Sequence, residues 1–348
     1  MIDKISRYYS QKTVLVTGGT GFIGSNLVRM LLNIGTRRII VLDNLVTSRR
    51  WNVPYDKKII FIKGSVVEEK TLKKVFSYKP DIVFHLAAFC ANQKSVEDPK
   101  EDLRVNGFGT LHICQFCIEN KVDRLIYASA GCSIYGVSAP NPVKEDFPVS
   151  LIQETPYQIT KLLGELYCNY FMTNYSLKVV TARFFNAYGP GEIPGYGRNV
   201  VSNFIYKAIC GQNLPVMGTG RETRDFVYTE DLACAIIRCG YLDEAVNQIF
   251  NLSTGRQIEI NYVADVIIDT VSRIFNKKRV KKYYIPLRKW DRLYRREASI
   301  DKARTILKYT PVMNFEQGIE NTVYWFKENW ERIIRDVKSI NKNRKGWE

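Results

Sequence analysis

Short apolar runs alternate with longer amphipathic segments over the first two thirds of the 348-residue chain. Continuous apolar runs are typical of strands that are covered on both faces. The predicted strands are 14–17, 38–42, 59–62, 81–86 and 124–128. The predicted helices between them include 23–34, 70–76 and 110–119. Alternation of this kind indicates an α/β fold built on a doubly wound parallel sheet.

The pattern changes at about Asn186. Gly, Pro and Tyr cluster at 188–197, which indicates a loop with strong turn chemistry, and the later segments lose the regular alternation. We predict that residues 1–185 form the sheet domain. Residues 186–335 are predicted to form mainly a smaller, interleaved second domain, with some segments returning to the first, and residues 336–348 a frayed tail.

The charge balance is strongly basic. There are 51 Lys and Arg residues against 35 Asp and Glu, a formal net charge of +16. Such a surplus attracts polyanions, including phosphate-bearing small molecules. We interpret the densest basic runs, at 276–282 and 292–296, as a solvent-exposed face. Because no zinc-finger or RNA-recognition spacing accompanies them, no specific nucleic-acid partner is expected.

The sequence offers no signal for a membrane span, export or a metal site. No apolar run approaches the ~18 residues of a spanning helix, and the first residues carry an early acid and no apolar stretch of a signal peptide. The eight cysteines are irregularly spaced, and Cys114-x-x-Cys117 has no second pair. We therefore expect a cytoplasmic protein with reduced thiols, without a membrane span or a bound metal.

A glycine loop joins the first predicted strand to the first long helix. Gly18 permits a tight turn, Gly21 lets the backbone approach a pyrophosphate, and Gly24 lets helix and strand pack closely. Phe22 and Ile23 open the helix, whose N-terminal N–H groups favour phosphate. The loop therefore predicts a dinucleotide site.

Asp43 ends the second predicted strand, nineteen positions after Gly24. A carboxylate at this position accepts the ribose hydroxyls of NAD and repels the 2′-phosphate of NADP. Arg49 and Arg50 follow closely and keep NADP open as an alternative. The placement of Asp43 favours NAD as the cofactor.

Tyr157 and Lys161 have the spacing Tyr-x-x-x-Lys, which places both side chains on one helix face. Free tyrosine has a pKa of about 10 and is a poor base at neutral pH. We expect the ammonium of Lys161 to lower the pKa of Tyr157. Tyr157 would then take the proton of a substrate hydroxyl while hydride leaves for the cofactor.

Taken together, these motifs resemble those of the extended short-chain dehydrogenase/reductases that act on nucleotide sugars, the 4-epimerases, 4,6-dehydratases and their relatives. The resemblance runs from about Thr13 to Pro311. Its motifs are Gly18–Gly24, Asp43-Asn44, His85–Ala88, Val105–Gly107, Ile134–Gly136, Tyr157-x-x-x-Lys161, Arg183–Pro190 and Arg224–Val227. It implies a Rossmann-type first domain that holds NAD, a second domain that holds a nucleoside-diphosphate sugar, and a homodimer paired through the helices before Glu119 and after Tyr157.

The resemblance also implies individual contacts. The implied cofactor contacts are Gly18, Gly21, Phe22, Ile23, Gly24, Asp43, Asn44, Ser65, Ala87, Asn106, Tyr157 and Lys161. The implied substrate contacts are Lys94, Asn186, Asn199, Val200, Arg224 and Arg288. Within the second set, Arg224 and Arg288 match the pair that clamps the diphosphate, as arginine forks do.

The chain departs from the family pattern near the catalytic hydroxyl. Alignment from the strand puts that position at Ala130, and alignment from Tyr135 puts it at Gly131, so neither supplies a hydroxyl. Either Ser129 or Ser133 must take the role, and we favour Ser133. Ser65 stands where the family usually has an Asp against adenine.

The segment from Ser129 to Gly136 also distinguishes between the reactions that members of the family catalyse. The dehydratases carry Asp-Glu beside the catalytic Thr, whereas no carboxylate lies between Ser129 and Gly136. This favours a 4-epimerase. Cys132 resembles the cysteine that 3,5-epimerases use for proton transfer, and a packed thiol is the alternative. A 4-dehydrogenase or 4-ketoreductase on the same substrates, and a non-catalytic NAD-binding module, also remain open.

Overall fold

The computed structural model describes residues 2–90 and 92–341. The strands are β1 (Thr13–Thr17), β2 (Arg38–Asp43), β3 (Ile59–Lys63), β4 (Ile82–His85), β5 (Arg124–Ala130), β6 (Val179–Phe184), β7 (Asn186–Tyr188), β8 (Leu214–Met217), β9 (Thr223–Tyr228), β10 (Gln248–Leu252), β11 (Gln257–Glu259) and β12 (Lys282–Ile285). The helices are α1 (Ile2–Tyr9), α2 (Phe22–Asn33), α3 (Glu69–Phe76), α4 (Asn92–Glu97), α5 (Pro99–Asp102), α6 (Gly109–Glu119), α7 (Gly131–Ile134), α8 (Pro156–Tyr175), α9 (Val200–Ile209), α10 (Thr229–Tyr241), α11 (Ile260–Phe275), α12 (Asp301–Ile306), α13 (Phe315–Glu328) and α14 (Trp330–Asn341).

Seven parallel strands form the central sheet, in the order β10-β6-β5-β4-β1-β2-β3. Every residue of β1, β4, β5 and β6 is buried, because helices cover both faces of the sheet. The predicted Rossmann-type α/β fold is confirmed. Since β1 lies between β2 and β4, the chain reverses its winding direction beside β1, and ligands of such sheets bind at the carboxyl edge there.

The second half of the chain builds a smaller unit over that edge. It contains a three-stranded sheet, β11-β9-β7, and the parallel pair β12-β8. Helices α9, α11 and α13 bury a separate apolar core against these strands. Other segments return to the large sheet, where β10 pairs with β6 and α10 packs on α2.

Helix α14 follows α13 and extends to Asn341, across the start of the segment predicted as a frayed tail. Its Ile333 and Val337 pack into the core of the smaller unit. The remainder of that predicted tail, 342–348, lies outside the described residues. Among the helices that the structure describes, none is long and apolar enough to cross a membrane.

Candidate active site

A cavity of about 1050 Å³ lies between the carboxyl edge of the sheet and the smaller unit. The predicted residues that line it are Gly18, Gly21, Phe22, Ile23, Gly24, Asp43, Asn44, Ser65, Ala87, Ser129, Cys132, Ser133, Tyr157, Lys161, Asn186, Asn199, Val200, Arg224 and Arg288. Two predicted residues, Lys94 and Asn106, are not part of its lining. The fold therefore brings together residues that are up to 270 positions apart in sequence (Gly18 to Arg288).

The glycine loop forms a bare backbone cradle at one end of the cavity. Gly18 has φ +68°, and a Cβ there would lie 2.8 Å from the Ala87 nitrogen. A Cβ on Gly24 would overlap the Gly18 carbonyl, so α2 packs closely only because position 24 has no side chain. Gly21 begins α2 without a side-chain cap, which leaves the first N–H groups of the helix for a ligand. This geometry fits the pyrophosphate of a dinucleotide.

The Asp43 carboxylate is held in one orientation beside the cradle. Oδ1 accepts hydrogen bonds from the Leu45 nitrogen at 2.9 Å and from the Ser48 hydroxyl at 3.1 Å. Oδ2 accepts one from the Thr20 nitrogen at 3.0 Å. A carboxylate has about four lone-pair sites, so Asp43 can accept a further bond from a ribose hydroxyl.

Arg49 and Arg50, the two arginines that left NADP as an alternative cofactor, both bind other groups of the protein. Arg49 Nε lies 3.1 Å from Asp336 Oδ1 in α14. Arg50 donates to the Val53 carbonyl at 2.7 Å and stacks over the Tyr55 ring at 4.2 Å. Neither side chain lines the cavity. Asp43 is therefore the charged residue of segment 43–50 that lines the cavity, which fits NAD.

Asn106 lies behind the cavity wall, which differs from its predicted contact with the cofactor. Its Oδ1 accepts from the Phe89 nitrogen at 2.8 Å, and its Nδ2 donates to Asp102 Oδ1 at 2.9 Å. Because these bonds occupy the buried amide, Asn106 fixes the loop after β4. Lys94 also lies off the cavity, and its methylenes pack within 3.2–3.8 Å of where a Cβ on Gly197 would be.

Tyr157 and Lys161 face the cavity from α8, as the spacing predicts. Lys161 Nζ lies 5.8 Å from the centre of the Tyr157 ring and donates to the Ala128 carbonyl at 2.9 Å. Burial lowers the pKa of Lys161 to about 8. Burial also raises the pKa of Tyr157 well above its usual value, and the nearby Cys90 and Asp102 add to the rise. Desolvation, and not the Lys161 ammonium, therefore decides the direction of the Tyr157 pKa in this structure.

The two candidate serines differ in their partners. Ser129 is buried and donates to Glu165, whose carboxylate Arg183 binds at 2.7 and 3.0 Å. Ser133, in α7, is half-buried at the cavity, and its hydroxyl has no hydrogen-bond partner within the described ranges. A Cβ on Gly131 would overlap the Phe185 ring, so Gly131, one of the two positions to which alignment assigns the family hydroxyl, has no room for a side chain.

Cys132 is a packed thiol in this structure. Its Sγ donates to Asn186 Oδ1 at 3.1 Å. Burial raises the pKa of Cys132, although the guanidinium groups of Arg224 and Arg296 act in the opposite direction. A protonated, hydrogen-bonded thiol is a poor proton acceptor.

The predicted phosphate contacts lie at the other end of the cavity. Arg224 donates to the Thr223 carbonyl at 2.9 Å and lies 3.2 Å from Asp291 Oδ1. Arg288 stacks over Trp290, with its guanidinium 5.3 Å from the ring centre. Asn199 and Val200 begin α9 on the wall between the two ends.

The lining residues that the sequence analysis did not assign to the site include Cys90 and Arg296. Cys90 lines the cavity, and its thiol contributes to the raised pKa of Tyr157. Arg296 belongs to a basic run that was interpreted as solvent-exposed, yet it is 1% exposed and lines the cavity. The sequence did contain a signal that Arg296 is buried. Arg296 lies two and four residues before the apolar Ala298 and Ile300, and in an extended segment residues two apart lie on the same side.

Comparison with known proteins agrees with this geometry. The sequence profile of the NAD dependent epimerase/dehydratase family matches residues 14–253. A putative UDP-glucose 4-epimerase of Methanocaldococcus jannaschii is 31% identical over 91% of this chain and 99% of its own length. An epimerase structure from Methanothermobacter thermautotrophicus is 44% identical, with a TM-score of 0.93 over 96% of this chain and 98% of that one. A Thermus thermophilus UDP-glucose 4-epimerase solved with NAD is 32% identical, with a TM-score of 0.82 over 90% and 99% of the two chains.

Proposed function

Since the chain belongs to the NAD-dependent epimerase/dehydratase family and is an enzyme whose cofactor is NAD, we propose that it inverts C4 of a nucleoside-diphosphate sugar. One observation carries the proposal. The cavity is lined by the half-buried Tyr157 and the buried Lys161, while the segment 129–136, which also lines it, contains no carboxylate. This set supports oxidation and reduction of a carbinol without the acid that a dehydration needs. The 4-epimerase names of two similar proteins point the same way.

Each residue has a defined task in this reaction. NAD, when bound, supplies the hydride acceptor and a positive ring charge. Tyr157 takes the proton of the C4 hydroxyl, and the Lys161 ammonium stabilises the resulting phenolate. Ser133 hydrogen-bonds the same substrate oxygen, because its hydroxyl lines the cavity and the Ser129 hydroxyl is bound to Glu165.

Epimerisation at C4 also requires the sugar to turn over between oxidation and reduction. The diphosphate must stay in place during that movement, and Arg224 and Arg288 are the cations that bind it. A 3,5-epimerase is not favoured, because the Cys132 thiol donates to Asn186 and burial raises its pKa.

A homodimer is the proposed assembly. Helix α8 presents Ile159, Leu166 and Tyr170 to solvent, each about half exposed, and Phe108 lies just before α6 with 55% of its surface exposed. Apolar surface on two neighbouring helices is typical of an interface between copies. Light scattering on the eluting peak of a sizing column should give twice the 40.2 kDa chain mass. The chain mass itself would contradict the assembly.

The function is tested in two steps. Mass spectrometry of ligand released from the purified protein should detect NAD. The protein is then given glucose and N-acetylglucosamine as their UDP, GDP and dTDP derivatives, and products are followed by NMR. We expect a mixture of C4 epimers without added cofactor. Formation of a 4-keto-6-deoxy sugar, or net accumulation of NADH, would instead identify a dehydratase or a dehydrogenase.

A further inference from the structure

Arg296 places a buried positive charge in the wall of the cavity. Its Nε donates to the Cys132 carbonyl at 3.3 Å, and its Nη2 donates to the Gly136 carbonyl. Its Nη1 is buried and has no hydrogen-bond partner among the described residues. The guanidinium is thus fixed beneath the segment that carries Ser133, which is the sugar end of the cavity.

No carboxylate of the described residues forms an ion pair with this charge. None of the ion pairs formed by residues 2–90 and 92–341 includes Arg296. Two acids that act electrostatically on the neighbouring Cys132, Asp291 and Asp225, are already engaged. Asp291 pairs with Arg224 at 3.2 Å, and Asp225 accepts hydrogen bonds from Thr254 at 2.6 Å and from the Ala298 nitrogen at 3.1 Å. A buried charge without a partner is costly, so its retention indicates that an anion completes the site.

The diphosphate is not that anion in the proposed function, because Arg224 and Arg288 already bind it. We propose that Arg296 selects a substrate whose sugar carries a carboxylate. The inference rests on the proposed function for the orientation of the substrate, with the diphosphate at the two arginines and the sugar under Ser133. A buried guanidinium attracts a carboxylate more strongly than an exposed one, because little water screens the pair.

Two sources of that carboxylate can be distinguished. One is C6 of a hexuronate, and the other is a lactyl ether on an N-acetylhexosamine. Each has a neutral counterpart of the same ring: UDP-glucuronate against UDP-glucose, and UDP-N-acetylmuramate against UDP-N-acetylglucosamine. Comparison within each pair cancels the contribution of the nucleotide.

Binding is measured by calorimetry on NAD-loaded Tyr157→Phe protein, so that no turnover disturbs the titration. We expect the carboxylate sugar of one pair to bind at least about tenfold more tightly than its neutral counterpart. Arg296→Gln keeps side-chain donors for the two carbonyls but removes the charge, and should abolish the preference. Arg296→Lys should retain most of it. The matched control is Arg295→Gln, which removes the same charge from an exposed neighbour and should change nothing.

Three results would overturn the inference: no preference within either pair, a preference that survives in Arg296→Gln, or an equal loss of affinity for UDP alone in that variant. An equal loss of affinity for UDP would mean that Arg296 binds the diphosphate. The preference itself is measured on protein with Arg296 in place, so a folding defect caused by a substitution at position 296 cannot obscure its absence. Selective binding without any C4 epimer from the wild-type protein would refute the proposed reaction and leave the inference standing.

Discussion

The arginines near the two ends of the cavity differ in their binding partners. At the cofactor end, Arg49 and Arg50 are bound to Asp336 and to backbone carbonyls. At the sugar end, Arg288 rests on an indole ring, and Arg296 has no acidic partner among the described residues. The end with the glycine loop is therefore a backbone cradle with one fixed carboxylate, whereas the other end carries three guanidinium groups, of which only that of Arg224 is paired with an acid, Asp291, among the described residues. The difference teaches that Asp43 is the charged residue of its loop at the cavity because Arg49 and Arg50 bind elsewhere, whereas Arg288 and Arg296 have no acidic partner among the described residues.

The largest expected effect is a loss of turnover on substitution of Tyr157, which we propose lies between the cofactor and the sugar. Tyr157→Phe removes the proton acceptor and should lower kcat by about 10³-fold or more. NAD should remain bound, because the glycine cradle and Asp43 are unchanged. Turnover is followed by NMR and bound NAD by absorbance after denaturation. Activity near that of the wild type would assign the base to another residue.

Ser133→Ala should lower kcat by about 10²-fold, because the hydroxyl at the cavity is lost. Ser129→Ala is its matched control. It leaves the Glu165–Arg183 pair intact and should reduce thermal stability more than turnover. The reverse result, an inactive Ser129→Ala and a fully active Ser133→Ala, would exchange their roles. Measuring kcat and the melting temperature of both variants decides between them.

Asp336→Asn tests whether the ion pair of Arg49 with Asp336 keeps Arg49 away from the cofactor. The amide oxygen can still accept the bond from Trp51 Nε1, which is 2.7 Å in the wild-type protein, but the charge that holds Arg49 is gone. Arg49 can then turn toward a 2′-phosphate, so the ratio of NADP to NAD affinity should rise several-fold.

The control for this prediction is the double variant Arg49→Ala, Asp336→Asn, in which the gain should disappear. Equal weakening of both cofactors in Asp336→Asn would mean that α14 only supports the loop. The dissociation constants of NAD and NADP for the three proteins are the readout.

The smallest expected effect is a change of folding stability with pH. Burial lowers the pKa of Lys161 to about 8, below its unfolded value near 10.5. Between these two pH values the unfolded chain binds the proton that the folded chain has released, so this group adds stability as pH rises. Below about pH 8 both states are charged, and the full cost of burying the ammonium is present.

Lys161→Met lacks this titration. The melting temperature of the wild-type protein should therefore rise relative to that of Lys161→Met between pH 8 and pH 10. A constant difference across this range would show that Lys161 titrates as an exposed lysine does.

Local pattern was sufficient to predict most of the cavity lining around the glycine loop. The apolar runs, the Gly18–Gly24 loop and the Tyr157 and Lys161 spacing each act over a few residues, and periodicity and turn chemistry describe such features well. Arg296 was misplaced because its basic neighbours suggested a solvated face, whereas the alternation with Ala298 and Ile300 turns it inward.

The remaining features depend on partners that are distant in the chain. Gly131 has no room for a side chain, because the Phe185 ring fills the space where its Cβ would be. The pair of Arg49 and Asp336 joins positions 287 residues apart. Asn106 belongs to a recognisable motif, yet tertiary packing turns its amide away from the cavity. Such contacts follow from the assembled fold and have no signature in the local sequence.

One measurement tests the central claim most directly: NMR of the substrate turned over in D₂O. An enzyme in which Tyr157 removes only the hydroxyl proton, with the C4 hydrogen taken up and returned as hydride, should give the C4 epimer with no deuterium on carbon. Deuterium at C3 or C5 of the product would show that a carbon acid is deprotonated, and would contradict the account.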